Sequence, residues 1–200
     1  MKALFDNIAA LQPRFPGWCT VEKAFTLASM VIARRPLISL EIGVYGGSSF
    51  FPIAMAHKAI GRGIAVGVDP WDKHLAVLVQ TEQESREWWA NQDMDKIYQN
   101  VLLFIKEYGL QDHAKIQRKK SSEIDIPPGI GLLHIDGAHN DEAVRDVARF
   151  CQHVEIGGMV VMDDLNWHGG GPARAAQRLV QIGFNHLYQI QNGAVYQRVR

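Results

Sequence analysis

The chain has 200 residues, of which 47% are hydrophobic and 21% charged, and its formal net charge is zero. This length and composition indicate one globular domain with a substantial hydrophobic core. A balanced charge provides no basic face for nucleic acid and no attraction to an anionic membrane surface, so neither is expected as a partner.

The cysteines and the N-terminus indicate the compartment. Cys19 and Cys151 are far apart and form no C-x-x-C pattern, which suits a reducing cytoplasm. The first residues contain no apolar signal-peptide core, and the longest mostly apolar run, 24–33, is too short to span a bilayer. We therefore expect a cytoplasmic protein.

The first 35 residues predict a helical extension outside the main sheet. A Phe-Pro-Gly break at 15–17 divides it, Thr20 opens the second helix, and Pro36 ends that helix. These helices offer a surface through which a homodimer could form, and the sequence leaves the oligomeric state open.

Strand and helix patterns alternate along the rest of the chain. Strands are predicted at 37–42, 64–69, 114–118, 130–136 and 159–162, and helices at 50–59, 82–108, 143–151 and 173–182. A hairpin of 184–190 and 194–199 turns at Asn192-Gly193. The pattern predicts one domain, 1–200, with a Rossmann-like doubly wound α/β sheet of seven strands, mostly parallel with an antiparallel C-terminal hairpin.

A glycine turn follows the first strand and leads into a helix. Glycines stand at three of the positions 43–47, and Ser48 and Ser49 follow as candidate helix N-caps. Such a turn allows close approach of backbone N–H groups to a small molecule that carries a carboxylate. Tyr45 and Ser48 occupy positions where a dinucleotide fingerprint needs glycine, and the P-loop pattern does not fit either.

The second strand ends in Asp69, which lies 22 residues beyond Gly47. Nucleotide-binding βαβ units place a carboxylate at about this interval to accept hydrogen bonds from ribose hydroxyls. We interpret Asp69 in this way and expect Trp71 near the adenine. The alternative is that Asp69 caps the next helix.

Three more acids follow strands: Asp136 ends the fourth, and Asp163 and Asp164 end the fifth. If these strands are adjacent, the carboxylates meet, and their mutual repulsion requires either protonation or a cation. A hard divalent ion such as Mg²⁺ prefers oxygen ligands of this kind. The alternative is that Asp136 caps the following helix and only one acid of the pair points inward.

Two motifs together resemble a known enzyme family. Glu41-Ile42-Gly43, followed by Gly-Gly-Ser-Ser at 46–49, resembles the first motif of class I S-adenosylmethionine-dependent methyltransferases. The D-G-x-H sequence at 136–139, an amphipathic helix, Gly-Gly, an apolar strand and Asp163-Asp164 resemble metal-dependent O-methyltransferases. The resemblance is nearest to the macrocin-type sugar O-methyltransferases and more distant to catechol O-methyltransferase.

This resemblance implies S-adenosylmethionine and Mg²⁺ as cofactors, a hydroxyl of a sugar-like molecule, vicinal diol or phenol as acceptor, and specific site residues. The cofactor would contact Glu41, Gly43, Tyr45, Gly47, Ser48, Ser49, Asp69, Trp71, Ser122 and Glu123. The metal would bind Asp136, Asp163 and Asp164, and Asp136 or His139 would accept the hydroxyl proton. Because His139 begins a helix, the helix dipole favours its neutral form.

The chain departs from the family pattern at two points. Asp141 stands where relatives often carry an aromatic residue, and no long insertion supplies a substrate lid. Three alternatives stay open: a nicotinamide-dependent oxidoreductase, an accessory protein that binds a cofactor without catalysis, and a methyltransferase that needs no metal. The first of these lacks the G-x-G-x-x-G fingerprint.

Overall fold

The computed structural model describes residues 1–80 and 82–200. Its strands are β1 (Ile38–Ile42), β2 (Ile64–Asp69), β3 (Ala114–Arg118), β4 (Ile130–Ile135), β5 (Val154–Met162), β6 (Phe184–Ile190) and β7 (Gly193–Arg198). Its helices are α1 (Lys2–Leu11), α2 (Val21–Arg34), α3 (Phe50–Ile60), α4 (Lys73–Leu78), α5 (Gln83–Ala90), α6 (Met94–Glu107), α7 (Glu142–Phe150) and α8 (Gly171–Gln181). Short 3₁₀ turns lie at Gln12–Arg14, Ser121–Glu123 and Cys151–His153.

The strands form a single sheet in the order β3-β2-β1-β4-β5-β7-β6. All neighbours from β3 to β5 are parallel, while β7 is antiparallel to β5 and to β6. This arrangement confirms the predicted α/β fold with its antiparallel C-terminal hairpin. The hairpin turn is one residue earlier than predicted, since Gly193 already pairs with Ile190 and the turn is Gln191-Asn192.

Apolar side chains cover both faces of the sheet. Every residue of β4 is buried, as expected for a central parallel strand. One core contains the inner sides of α1, α2 and α3, and the other lies under α7 and α8. The helices predicted as an N-terminal extension therefore belong to the first of these cores: α1 packs on α2 and α3, and α2 also contacts β4, with Ile8 and Leu27 buried.

The strand register places the site at one edge of the sheet. Ile42 pairs with Val68 of β2 and with Ile135 of β4, and Ile135 in turn pairs with Met162 of β5. Because parallel strands end on the same side, the residues that follow them are neighbours. The chain reverses its direction of strand addition between β1 and β4, where open α/β sheets bind ligands.

The prediction of one long helix over 82–108 is wrong in one respect, because the structure has two helices there, α5 and α6. The Asp93 carboxylate accepts a hydrogen bond from the Lys96 N–H, 3.0 Å away, and so caps a new helix at Met94. In the same way Asp72 caps α4 by accepting from the Leu75 N–H at 3.1 Å.

Among the described residues, no helix combines the length and the apolar character needed to cross a bilayer.

Candidate active site

Two glycines of the β1–α3 loop are required by its backbone. Gly43 has φ +88°, and a Cβ there would lie 2.1 Å from the Asp136 carbonyl oxygen. Gly47 has φ +89°, and its Cβ would lie 2.3 Å from the Phe51 ring. L-residues rarely adopt this backbone conformation, so the loop depends on glycine at both positions.

Asp69 holds this loop in place. One carboxylate oxygen accepts from the N–H groups of Val44 and Tyr45, both at 3.0 Å, and the other accepts from the Trp71 N–H at 2.7 Å. Burial raises the pKa of Asp69, while these backbone hydrogen bonds lower it; the net shift is upward. The predicted alternative, a helix cap, belongs to Asp72 instead.

A cavity of about 500 Å³ opens at this edge of the sheet. It is bordered by many of the predicted site residues: Gly43, Tyr45, Ser48, Ser49, Asp69, Ser122, Asp136, His139 and Asp164. Ser121, Asp146 and the inner side of α4 complete much of the wall. The volume is within the range of small-molecule sites.

Five predicted residues lie outside that lining: Glu41, Gly47, Trp71, Glu123 and Asp163. Trp71 is buried and donates from its indole Nε1 to the Tyr45 carbonyl, 2.9 Å away, so it supports the loop from behind. Glu123 accepts a hydrogen bond from the Lys120 N–H at 3.1 Å and so closes a capping box at the 3₁₀ turn Ser121–Glu123. The cofactor contacts predicted for these residues stay predictions.

Glu41 belongs to a buried polar chain beneath the cavity. Its Oε1 accepts a hydrogen bond from the Ser49 hydroxyl and lies 3.4 Å from Nδ1 of His134. His134 Nε2 lies 3.2 Å from Asp163 Oδ2, which places the imidazole between two carboxylates. Burial lowers the pKa of His134, but its hydrogen bond to Asp163 and the nearby Glu41 carboxylate outweigh that effect and raise the pKa to about 10. His134 is therefore an imidazolium at neutral pH.

Lys23 of α2 completes that chain and was missed by sequence reasoning. Its Nζ lies 2.7 Å from Oδ1 and 2.8 Å from Oδ2 of Asp163. Burial acts to raise the pKa of Asp163, but the cationic His134 and Lys23 overcome it and lower the pKa to about 2. We expected the acids to lack a counter-charge, and for Asp163 the structure provides one from 140 residues away in sequence.

Asp136, His139 and Asp164 form the polar group that faces the cavity. Potential ligand atoms of these three residues lie within 4.8 Å of one another. His139 Nε2 is 2.7 Å from Asp164 Oδ2, and its Nδ1 is buried and finds no hydrogen-bond partner among the described residues. Burial, followed by the negative charge of Asp163, raises the pKa of Asp136.

The structure supplies an aromatic contact that the sequence pattern did not show. The Trp167 ring lies on the His139 ring, with centroids 4.0 Å apart and planes at 31°. Asp141, where relatives often carry an aromatic residue, forms a 2.6 Å ion pair with Arg174. Trp167 and Asp164 lie in the loop that follows β5, whereas His139 lies in the loop that follows β4. The contact between Trp167 and His139 therefore depends on how the two loops fold together.

A cluster of aromatic rings lies beside the cavity mouth. Trp18 is 65% exposed and stacks on Tyr45 at 5.4 Å, with Trp88 5.3 Å away. Trp89 contacts Tyr45 edge-on at 5.3 Å. The helix that carries Trp88 and Trp89, α5, borders the cavity through Trp89, and α4 borders it beside α5.

A glycine loop at a strand–helix junction, an acid after β2 and polar side chains after β4 and β5 are the features of an α/β protein that binds a nucleoside cofactor. A family model described as a methyltransferase domain matches residues 40–165. The chain belongs to this methyltransferase domain family, which confirms the predicted enzyme class, an S-adenosylmethionine-dependent methyltransferase.

Solved structures of methyltransferases share the fold. PaMTH1 of Podospora anserina, bound to S-adenosylhomocysteine (SAH), is 15% identical with a TM-score of 0.69, covering 100% of this chain and 88% of its own. The O-methyltransferase TomG of Streptomyces achromogenes, in complex with S-adenosylmethionine (SAM), is 12% identical with a TM-score of 0.67, covering 98% and 90%. An O-methyltransferase of Bacillus cereus, in complex with SAH, is 13% identical with a TM-score of 0.65, covering 99% and 91%. A search of curated proteins finds no match.

Proposed function

We propose that this protein transfers the methyl group of SAM to a hydroxyl oxygen of a small molecule. The observation that carries the proposal is one cavity with the glycine loop and Asp69 on one side and Asp136, His139 and Asp164 on the other. The structural neighbours that are O-methyltransferases support the same reaction. A nicotinamide-dependent oxidoreductase is not favoured by the family match.

The residues of the cavity fit the parts of SAM. The methionine end would lie along the loop from Gly43 to Ser49, and the adenine would lie towards Ser121 and Ser122. A carboxylate offers about four lone-pair sites, and Asp69 uses three of them on backbone N–H groups. Asp69 would therefore accept one ribose hydroxyl rather than the two that the sequence predicted.

His139 is the best placed base for the acceptor hydroxyl. A proton on Nε2 donated to Asp164 leaves Nδ1 as the free acceptor atom on the ring. Asp136 is less suited to this task, since a divalent cation held there would occupy its carboxylate oxygens. The rest of the catalysis is alignment of oxygen, methyl carbon and sulfur, which Asp69 and the glycine loop would provide by fixing the cofactor.

Asp136 and Asp164 are suited to hold a divalent cation beside His139. Two carboxylates suit Mg²⁺, and a histidine nitrogen within reach also suits Mn²⁺ or Zn²⁺. Such an ion would lower the pKa of the acceptor hydroxyl when bound. We keep Mg²⁺ as the proposed ion.

The walls of the cavity bear on the acceptor. Tyr45, Trp89 and the exposed Trp18 present ring faces, and Leu75 and Leu78 of α4 add aliphatic surface. Rings of this kind pack on the flat face of a phenol or the apolar face of a sugar. We therefore keep a vicinal diol on a phenol or a sugar-like ring as the proposed acceptor.

The decisive test combines cofactor binding with turnover. Isothermal titration should show SAH binding to the wild-type protein, and radiolabelled SAM should methylate at least one member of a panel of catechols and sugars. His139→Ala should lower kcat about 100-fold or more while the Kd for SAH stays within about threefold. The matched control is His186→Ala, an exposed histidine on β6 that should change neither value.

SAH binding without turnover on any panel member, unchanged by Mg²⁺, would favour the accessory protein. Binding of NAD with none of SAH would favour the oxidoreductase. Full turnover in chelator would leave methyl transfer in place and remove the metal from the proposal.

A further inference from the structure

We propose that the Lys23 ammonium is the counter-ion of the Asp163 carboxylate, which makes Asp163 a positioning residue. A divalent cation at this site is then held by Asp136 and Asp164 and not by Asp163. The metal part of this inference rests on the proposed function. The assignment of Lys23 itself rests on the geometry beneath the cavity.

Three of the about four lone-pair sites of the Asp163 carboxylate are occupied by contacts with cationic or N–H groups. Both carboxylate oxygens lie within 2.8 Å of Lys23 Nζ, and Oδ2 is also within hydrogen-bond distance of His134 Nε2. Lys23 Nζ is 3.3 Å from Asn192 Oδ1, so each of its N–H groups has an acceptor. The side chains of Lys23 and Asp163 are 5% and 2% exposed.

The two adjacent acids are separated by the backbone into different environments. Asp164 has φ +54°, accepts a hydrogen bond from the Asn192 side chain and borders the cavity with its carboxylate near His139. Asp163 points beneath the cavity towards α2 and lies outside its lining. Of the two, only Asp164 is open to a ligand in the cavity.

Electrostatics favours this division of roles. A divalent cation on Asp163 would lie a few ångströms from the Lys23 ammonium, whose Nζ is within 2.8 Å of both carboxylate oxygens. Charges repel more strongly in a buried site than in water, because the effective dielectric constant is lower. Asp164 has no lysine beside it among the described residues that contact it, and its partner His139 is not locked between two carboxylates.

Lys23 also connects the acceptor side of the site to the cofactor loop. The contacts run from Lys23 through Asp163 and His134 to Glu41. Glu41 then accepts a hydrogen bond from Ser49, which borders the cavity. A substitution of Lys23 should therefore alter the position of the Ser49 side chain, although Lys23 itself lies outside the cavity lining.

The test compares Lys23→Met, Asp163→Asn and the double variant with wild-type protein, with the exposed Lys106→Met on α6 as control. The midpoint of thermal unfolding, Tm, should be lower in Lys23→Met than in the wild type by on the order of 10 °C, because the substitution leaves Asp163 buried without its main partner. The double variant should recover at least half of that loss. Lys106→Met should match the wild type.

Mn²⁺ binding in the presence of SAH, followed by electron paramagnetic resonance, provides the second readout. Asp164→Asn should weaken Mn²⁺ binding at least about tenfold, while Asp163→Asn should stay within about threefold of the wild type. Lys23→Met should bind Mn²⁺ more tightly than the wild type, because Asp163 is released.

Two results would overturn the inference: additive losses in the double variant, or a loss of Mn²⁺ binding in Asp163→Asn as large as in Asp164→Asn. If the thermal coupling is present and Mn²⁺ binds to Lys23→Met alone, the counter-cation is supported and the metal in the proposed function is not. Failure of SAH to bind the wild type would overturn the proposed function while the thermal coupling still decides the role of Lys23.

Discussion

Single residues show how much of the site depends on burial. Asp146 of α7 is buried and borders the cavity beside Ser121, on the helix face that also carries Ala143 and Val147. The sequence analysis predicted an amphipathic helix here and overlooked the buried acid on it. Burial raises the pKa of Asp146 from 3.8 to about 6, so its ionised form at neutral pH opposes folding.

Asp146→Asn should therefore stabilise the protein at neutral pH. The folded-state pKa lies above the unfolded value, so the unfolded state loses its proton first, and stability falls as pH rises from about 4 to about 6. We expect the variant to gain about 1–3 kcal/mol at pH 7 and nearly nothing near pH 4. Urea unfolding at both pH values measures this.

The exposed Asp125→Asn is the control for that comparison and should be neutral at both pH values. A gain of equal size at pH 4 and pH 7 would contradict the titration of Asp146 as its cause. A lower affinity of Asp146→Asn for SAH, measured alongside, would indicate that the carboxylate is kept for binding at the expense of stability.

Residue types at strand ends could be predicted, while their partners could not. Asp69, Asp136 and Asp164 follow strands whose apolar pattern is clear, and a parallel sheet brings such ends together. Lys23 reaches Asp163 from a helix 140 residues earlier, and nothing in the local sequence marks that pair. Long-range ion pairs of this kind are set by packing, so single-sequence patterns carry no signal for them.

Elements are predicted well where their periodicity is strong and poorly where a cap interrupts them. The apolar stripe of α6 was recognised, but Asp93 caps a new helix and splits the predicted 82–108 helix in two. That break lets α5 turn its tryptophans towards Tyr45 at the cavity mouth. The division of the predicted helix therefore follows from one missed capping residue.

The β1–α3 loop gives the sharpest prediction at this scale. Gly43→Ala should destabilise the protein by more than about 3 kcal/mol, since it adds left-handed strain to a Cβ 2.1 Å from the Asp136 carbonyl oxygen. Because Gly43 borders the cavity, SAH affinity should fall at least about tenfold. Denaturant unfolding and isothermal titration measure the two effects.

Gly61 provides a matched comparison. It ends α3 with φ +60°, and a Cβ there would meet nothing within 4 Å. Gly61→Ala should cost about 1 kcal/mol for the left-handed conformation alone and leave SAH affinity unchanged. Equal losses in the two variants would mean that the close approach between Gly43 and Asp136 contributes nothing.

The whole molecule follows from its alternating strands and helices. The mostly parallel sheet and its antiparallel hairpin were predictable because turn residues, strand length and periodicity agree with one another. The role of the first 35 residues was harder to predict, because the pattern of an amphipathic helix does not indicate which surface the helix packs against. Gln12 makes this role visible: its side-chain amide donates to the carbonyls of Ser48 and Cys19 at 2.7 and 2.8 Å, which ties this segment to the cofactor loop.

These contacts imply that α1 is part of one cooperative folding unit, and Ile8 tests that. Ile8 is fully buried in the core under α1, α2 and α3, so Ile8→Ala should lower the free energy of unfolding by about 2–5 kcal/mol. Leu37→Ala, at a position 57% exposed, should change it by less than about 0.5 kcal/mol. Urea unfolding followed by tryptophan fluorescence and by circular dichroism should give one shared transition for Ile8→Ala. Two separated transitions, or a loss no larger than that of Leu37→Ala, would show instead that α1 is a detachable extension.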